Sequence, residues 1–202
     1  MQNDIYIIGP SHIHSDFTSR SDYENYYSNI TLDPYRGLPV WSSRILIALR
    51  EQLDKNPNIK LVWLVSDWKL NNIDYNKIIK LKPDDYLFLD VLGCPNNISR
   101  DYMSPLHIET LSKHGIKCIS YILEQIPQLK LIFWCLYKRT HANKSSYPEY
   151  AQYNNMVTLF KDNIIDIDNF TTPEEYNKIM NRDESGHPTS KGHELISKMC
   201  KV

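Results

Sequence analysis

Apolar runs at residues 5–8, 61–65, 86–92 and 129–136 each end in polar or turn-forming residues, and stretches of helical spacing lie between them. Short continuous apolar runs suit parallel strands covered on both faces, and their alternation with helices predicts an α/β chain built on a mostly parallel sheet. Ile5-Tyr6-Ile7-Ile8 leads into Gly9-Pro10-Ser11-His12, a tight turn with a hydroxyl as its first reactive side chain. The second run ends in Ser66-Asp67-Trp68-Lys69-Leu70-Asn71-Asn72, and the third in Gly93-Cys94-Pro95-Asn96-Asn97. In open parallel sheets ligands bind beyond the carboxyl ends of the strands, so these polar clusters converge on one side of the molecule.

The helices follow from spacing and punctuation. Trp41, Ile45, Leu46, Leu49 and Leu53 recur at helical intervals within residues 40–55, and Pro57 with Asn58 closes that element. A short helix is expected over residues 74–82. Ser104 and Pro105 supply a cap and first turn for a long helix toward Ile126, which Gly115 interrupts on one reading and residues 116–123 replace by a strand on another. A helix over residues 149–160 precedes a strand over 163–167, and Thr172-Pro173-Glu174-Glu175 begins a small helical excursion spanning 171–182. Residues 15–39, polar and rich in tyrosine, are too long for a simple turn and predict a functional loop beside Ser11. Its Tyr23, Tyr26, Tyr27 and Tyr35 offer either aromatic faces for a sugar or packing over the sheet.

With 202 residues, one domain spanning 1–202 accommodates the whole pattern, and no repeat or linker divides it. A formal net charge of −1 gives no field that favours nucleic acid or an anionic membrane. Met1-Gln2-Asn3-Asp4 leads straight into strand residues, and no segment is long and apolar enough to span a bilayer, so a cytoplasmic protein is expected. Cys94, Cys118, Cys135 and Cys200 are too scattered for a zinc site or a disulfide framework. His12, His14 and Asp16 have spacing too generic for a metal centre, so neither metal nor cofactor is expected. Trp63, Phe133 and Trp134 are expected in the core, Lys138, Arg139 and His141 in a solvated loop or at the sheet edge where substrates bind, and His193 on the surface of the last helix.

The closing segment Asp183-Glu184-Ser185-Gly186-His187-Pro188-Thr189-Ser190 places an acid and a histidine just ahead of a helix that Thr189 or Ser190 caps. A serine hydroxyl becomes nucleophilic when a base takes its proton, and that base needs an acceptor to fix its tautomer. Ser11, His187 and either Asp183 or Glu184 supply those roles from opposite ends of the chain. The Ser11 backbone N–H and the Asn96 side chain are the leading donors to a developing oxyanion, with Gly93 and His12 beside them.

These residues resemble the SGNH (GDSL-like) hydrolase family over nearly the whole chain. Gly9-Pro10-Ser11 stands where the family has Gly-Asp-Ser, and Asp183 or Glu184 with His187 stands where it has Asp-x-x-His before the final helix. Asn71 and Asn96 correspond to the family's second and third blocks, with no glycine at the second and a displaced asparagine at the third. The resemblance implies a three-layer α/β/α, flavodoxin-like domain of about five strands. It also implies a serine esterase or O-acyltransferase acting on an ester, most naturally an acetyl group on a carbohydrate. A catalytically silent glycan- or partner-binding domain of the same fold is the alternative. A nucleotide-using enzyme is disfavoured because no Gly-rich phosphate loop follows the first strand.

Overall fold

In the computed structural model, which describes residues 4–14, 20–35, 40, 42–65, 105–134, 137, 153–179 and 187–202, the first apolar run forms β1 (Ile5–Pro10), buried from Tyr6 onward. It pairs in parallel with β2 (Ile30–Tyr35) on one side and β3 (Lys60–Leu64) on the other, and β4 (Lys130–Ile132) lies beyond β3. Among the described residues the sheet is four-stranded and all-parallel, in the order β2-β1-β3-β4. Ile7 sits opposite Leu32 and Val62, and the strands are as continuously apolar as two-sided burial requires.

The chain steps from β1 outward to β2 and then back across β1 to β3. Right-handed crossovers taken in opposite directions put their helices, α1 (Arg20–Tyr26) and α2 (Ser43–Lys55), on opposite faces. That arrangement is compatible with a three-layer α/β/α fold. The direction reverses between β1 and β3, the place in an open sheet where the carboxyl ends of the strands leave a crevice. Gly9 lies there: a Cβ on it would come within 2.8 Å of Leu64 Cβ and 3.2 Å of the Leu64 carbonyl oxygen. The two central strands therefore approach closely just below Ser11 because Gly9 has no side chain.

Residues 15–39 differ from the long loop expected of them. Within them lie α1 and the edge strand β2. Ile30 and Leu32 alternate with Thr31 and Asp33, and Pro34 is tolerated because an edge strand need not donate on its outer side. Asn29 turns the chain between helix and strand at φ 66°, a left-handed conformation that asparagine accepts more readily than most residues. Tyr6 OH, on the neighbouring strand, donates to the Asp33 carboxylate.

In α2, Ser42 caps the first turn by accepting from Arg44 N–H at 3.3 Å, while Ile45, Leu46 and Leu49 are buried. The helix α3 (Pro105–Gln125) runs through Gly115 without a break, which removes the strand alternative for residues 116–123. Its Cys118, Ile119 and Ile122 are buried, so the apolar run there belongs to a helix face. Trp63, Phe133 and Trp134 are core residues as expected, although pairing in β4 stops at Ile132.

Helix α4 (Tyr153–Leu159) leads to residues 163–167, where the expected strand is reduced to one parallel bridge between Leu131 and Ile164. Leu131 N–H donates to the Asn163 carbonyl at 2.9 Å and Ile165 N–H to the Leu131 carbonyl at 2.8 Å. The Asp166 carboxylate then accepts from Asp168 N–H and turns the chain into the 3₁₀ segment Ile167–Asn169.

Helix α5 (Pro173–Ile179) opens with a reciprocal capping box: Glu175 N–H donates to Thr172 Oγ1 and Thr172 N–H to Glu175 Oε2. Helix α6 (Ser190–Cys200) closes the chain. The expected elements over 74–82 and 86–92 lie outside the described residues, as do Lys138, Arg139 and His141. No described helix is long and apolar enough to cross a membrane. Cys118 and Cys200 are buried.

Gly9→Ala is expected to destabilise the protein by about 1–3 kcal/mol, the usual effect of overpacking a tight interior contact. Urea unfolding of the variant beside wild type measures it.

Candidate active site

Pro10 ends β1, and Ser11 begins a single 3₁₀ turn, Ser11–Ile13, closed by His14 N–H donating to the Ser11 carbonyl at 3.0 Å. The turn lifts Ser11 clear of the sheet at its carboxyl edge. Its backbone N–H stands at the first position of the turn, where no carbonyl of the turn can accept from it. His12 and Ile13 are buried behind it.

His187 approaches from the other end of the chain. Ser11 Oγ and His187 Nε2 are 2.7 Å apart, within hydrogen-bond distance. The His12 ring packs beside that of His187, with centroids 5.1 Å apart and planes tilted by 58°.

The segment bearing His187 is fixed by backbone chemistry. Thr189 sits at the N-cap position of α6 but its hydroxyl does not cap that helix. Both Thr189 N–H and Thr189 Oγ1 instead donate to the Ile179 carbonyl, at 2.8 and 2.7 Å, tying the start of α6 to the end of α5. A side chain at Gly192 would meet Pro188 Cβ at 2.7 Å and that same carbonyl at 3.0 Å, so the turn after His187 closes over a glycine.

Sequence reasoning assigned His193 to the surface, and the structure buries it completely. Its Nδ1 is hydrogen-bonded to Tyr27 OH at 3.0 Å, and the Tyr23 and Tyr27 rings stand edge-on to it. The signal was present: His193, Ile196, Ser197 and Cys200 recur at helical spacing and all four are buried. Burial, reinforced by His187 and His14 nearby, pushes the His193 imidazole down to about 4. Burial, with Cys200 and Tyr23 adding to it, pushes the Tyr27 phenol well above its ordinary range. Both groups are therefore neutral near pH 7.

Tyr23, Tyr26 and Tyr27 serve packing, and the Tyr35 side chain lies outside the described residues. Tyr23 OH donates to the Ile13 carbonyl at 2.6 Å, Tyr26 OH is hydrogen-bonded to Ser190 Oγ at 3.1 Å, and Tyr27 is buried. A cleft of about 430 Å³ opens alongside them, bordered by His14, Tyr23, Tyr27 and Leu32.

Of the residues expected at the site, the structure brings Ser11, His12 and His187 together. Asp183, Glu184, Asn71, Gly93 and Asn96 lie outside the described residues. Among the described residues, no three histidine, cysteine or carboxylate side chains converge as metal ligands would. No protein-family model matches this sequence, and no curated protein matches it.

His193 also gives the fold a defined acid sensitivity. Its folded value lies below the ordinary 6.5, so the unfolded chain binds the proton more readily. The stability this contributes is complete above pH 6.5 and is lost as pH falls toward 4, by up to about 3 kcal/mol. Between pH 7 and pH 4.5, urea unfolding should show wild type losing more stability than His193→Gln, whose side chain is neutral throughout.

Proposed function

We propose that this chain is a serine esterase or O-acyltransferase of the SGNH type, acting through an acyl-serine intermediate. The observation that carries the proposal is the 2.7 Å contact between Ser11 Oγ and His187 Nε2 at the carboxyl edge of a parallel sheet. Neither local turn chemistry at Gly9-Pro10-Ser11 nor the start of α6 requires the two side chains to meet. The order β2-β1-β3-β4, with a further parallel bridge at Leu131 and Ile164, supports the flavodoxin-like five-strand arrangement that the family resemblance implies.

In the reaction, His187 Nε2 takes the proton from Ser11 Oγ as that oxygen bonds to the acyl carbon. The tetrahedral intermediate places its negative oxygen toward the Ser11 backbone N–H, with Asn96 as the side-chain donor. On collapse the bond to the alcohol breaks, and the imidazolium of His187 returns the proton to the leaving oxygen. Water or a second alcohol then attacks the acyl carbon, giving up its proton to His187 Nε2; on collapse the acyl–Oγ bond breaks, the acid or new ester leaves, and His187 returns the proton to Ser11 Oγ. Asp183 or Glu184 holds the His187 tautomer that leaves Nε2 free to accept. Water makes the enzyme an esterase and a sugar hydroxyl makes it an acyltransferase.

An acetylated carbohydrate is the substrate class, and its support comes from the resemblance. Tyr23, Tyr26 and Tyr27 add nothing to it, because their hydroxyls are engaged inside the protein.

Intact-protein mass after exposure to an activated acetyl ester, and separately to a fluorophosphonate, tests the reading. Wild type should gain one adduct, Ser11→Ala none, and His187→Ala should react at least about 10³-fold more slowly, as expected when a nucleophile loses its base. A wild type that stays unlabelled while a control serine esterase reacts would overturn the enzyme in favour of a silent binding domain.

A further inference from the structure

We infer that Tyr23 and Tyr27 are positioning residues whose hydroxyls hold the Ser11 turn and the His187 helix at their working separation. The inference rests on reading Ser11 and His187 as the reacting pair. Tyr23 OH donates to the carbonyl of Ile13, the last residue of the turn that Ser11 opens, at 2.6 Å. One helical turn later, Tyr27 OH meets His193 Nδ1 at 3.0 Å, inside the helix that His187 precedes. The two tyrosine rings lie 4.9 Å apart, and the Tyr23 ring also touches that of His193 at 5.6 Å.

A single short stretch of chain thus grips both halves of the site. Around it, Tyr26 OH contacts Ser190 Oγ at 3.1 Å, while Ser197 Oγ and Lys201 Nζ both donate to the Tyr26 carbonyl. These bonds attach α6 to α1 along its length. Tyr23 and Tyr27 differ from them in joining the turn below Ser11 to the interior face of α6.

The aromatic rings provide bulk, and the hydroxyls provide position. A reacting pair must be held to within about 0.5 Å, and a displacement of about 1 Å is enough to slow a reaction by roughly 10²-fold. Removing one hydroxyl leaves the ring, the burial and the helix in place but releases one end of the connection. The consequence is a change in how Ser11 and His187 meet, beyond any loss of stability.

The test uses the full chain, ¹⁵N-labelled, with the imidazole signals of His187 assigned by comparison with His187→Ala. Spectra are recorded at pH 7 for wild type, Ser11→Ala, Tyr23→Phe, Tyr27→Phe and the control Tyr153→Phe. Tyr153 also has a hydroxyl engaged in the interior, donating to Asp166 at 2.8 Å and accepting from Ile167 N–H at 2.9 Å, but neither partner belongs to the Ser11 turn or to α6.

The Nε2 resonance of His187 should move toward its Ser11→Ala position in Tyr23→Phe and Tyr27→Phe, and stay in place in Tyr153→Phe. Fluorophosphonate labelling at Ser11 should slow by about 10-fold or more in the first two variants only. Unchanged His187 signals in both tyrosine variants, or an equal movement in Tyr153→Phe, would overturn the inference. If Ser11→Ala leaves His187 unmoved, the pair itself is not formed and the inference falls with it. If the tyrosine variants shift His187 while wild type resists fluorophosphonate, positioning stands and the hydrolase reading fails.

Discussion

The seating of α6 against α1 governs the site, because Ser11 is fixed to β1 and His187 to the start of α6, 176 residues apart in sequence. Contacts across such a separation come at the full entropic cost of closing the chain, and local structure on either side cannot supply them. The parallel sheet does most of the closing by burying β1 between β2 and β3. Its twofold connection leaves a crevice at the switch between β1 and β3, and α6 then delivers His187 to that crevice. The absence of a side chain at Gly9 lets β1 approach Leu64 of β3 closely, two residues before Ser11.

A buried histidine against a buried tyrosine is an unusual way to join two helices. Phenylalanine at position 193 would fill the same space without the cost of desolvating a polar ring. The imidazole does something that phenylalanine cannot, which is to accept or donate a directed bond to Tyr27 OH. It also stays neutral near pH 7, since burial, His187 and His14 all oppose its protonation. That matters for the proposed reaction. His187 carries the positive charge when it holds the serine proton, and a second cation beside it would raise the energy of that state. A neutral His193 gives the site direction without adding charge.

What was legible in the sequence was local. The β1 strand and its turn, the helix over residues 43–55 and the Thr172 to Glu175 capping box each carry their signal within a few residues. Strand β2 was missed because it lies at an edge, where Ile30 and Leu32 suffice for burial and Pro34 is permitted. The run over residues 129–136 looked like a longer strand because Phe133 and Trp134 are as deeply buried as β4 itself. Side-chain packing buries them, with Phe133 stacked on Phe160 and Trp134 edge-on to Tyr176. Ser11 and His187 were nominated by chemical role and family resemblance, and spacing alone carried no information about their meeting. His193 was overlooked because one histidine on a helix with Lys191, Glu194 and Lys198 reads as surface until its alignment with Ile196 and Cys200 is followed.

His187 is supported from a second direction as well. Two further interior tyrosines fasten the chain between β4 and α5: Tyr137 OH donates to Asp168 and Tyr176 OH to the Trp134 carbonyl. With the capping box at Thr172, these bonds fix where α5 begins, and a helix of seven residues leaves little freedom in where its Ile179 carbonyl ends. That carbonyl accepts both bonds from Thr189, two residues beyond His187. His187 is therefore located from one side by α5 and from the other by α1, and the two supports share no side chain. Two independent anchors on either side of a short segment restrict rotation as well as translation. The proposed proton exchange with Ser11 requires both restrictions, since a ring held at the right distance but free to turn would present Nε2 to the serine only part of the time.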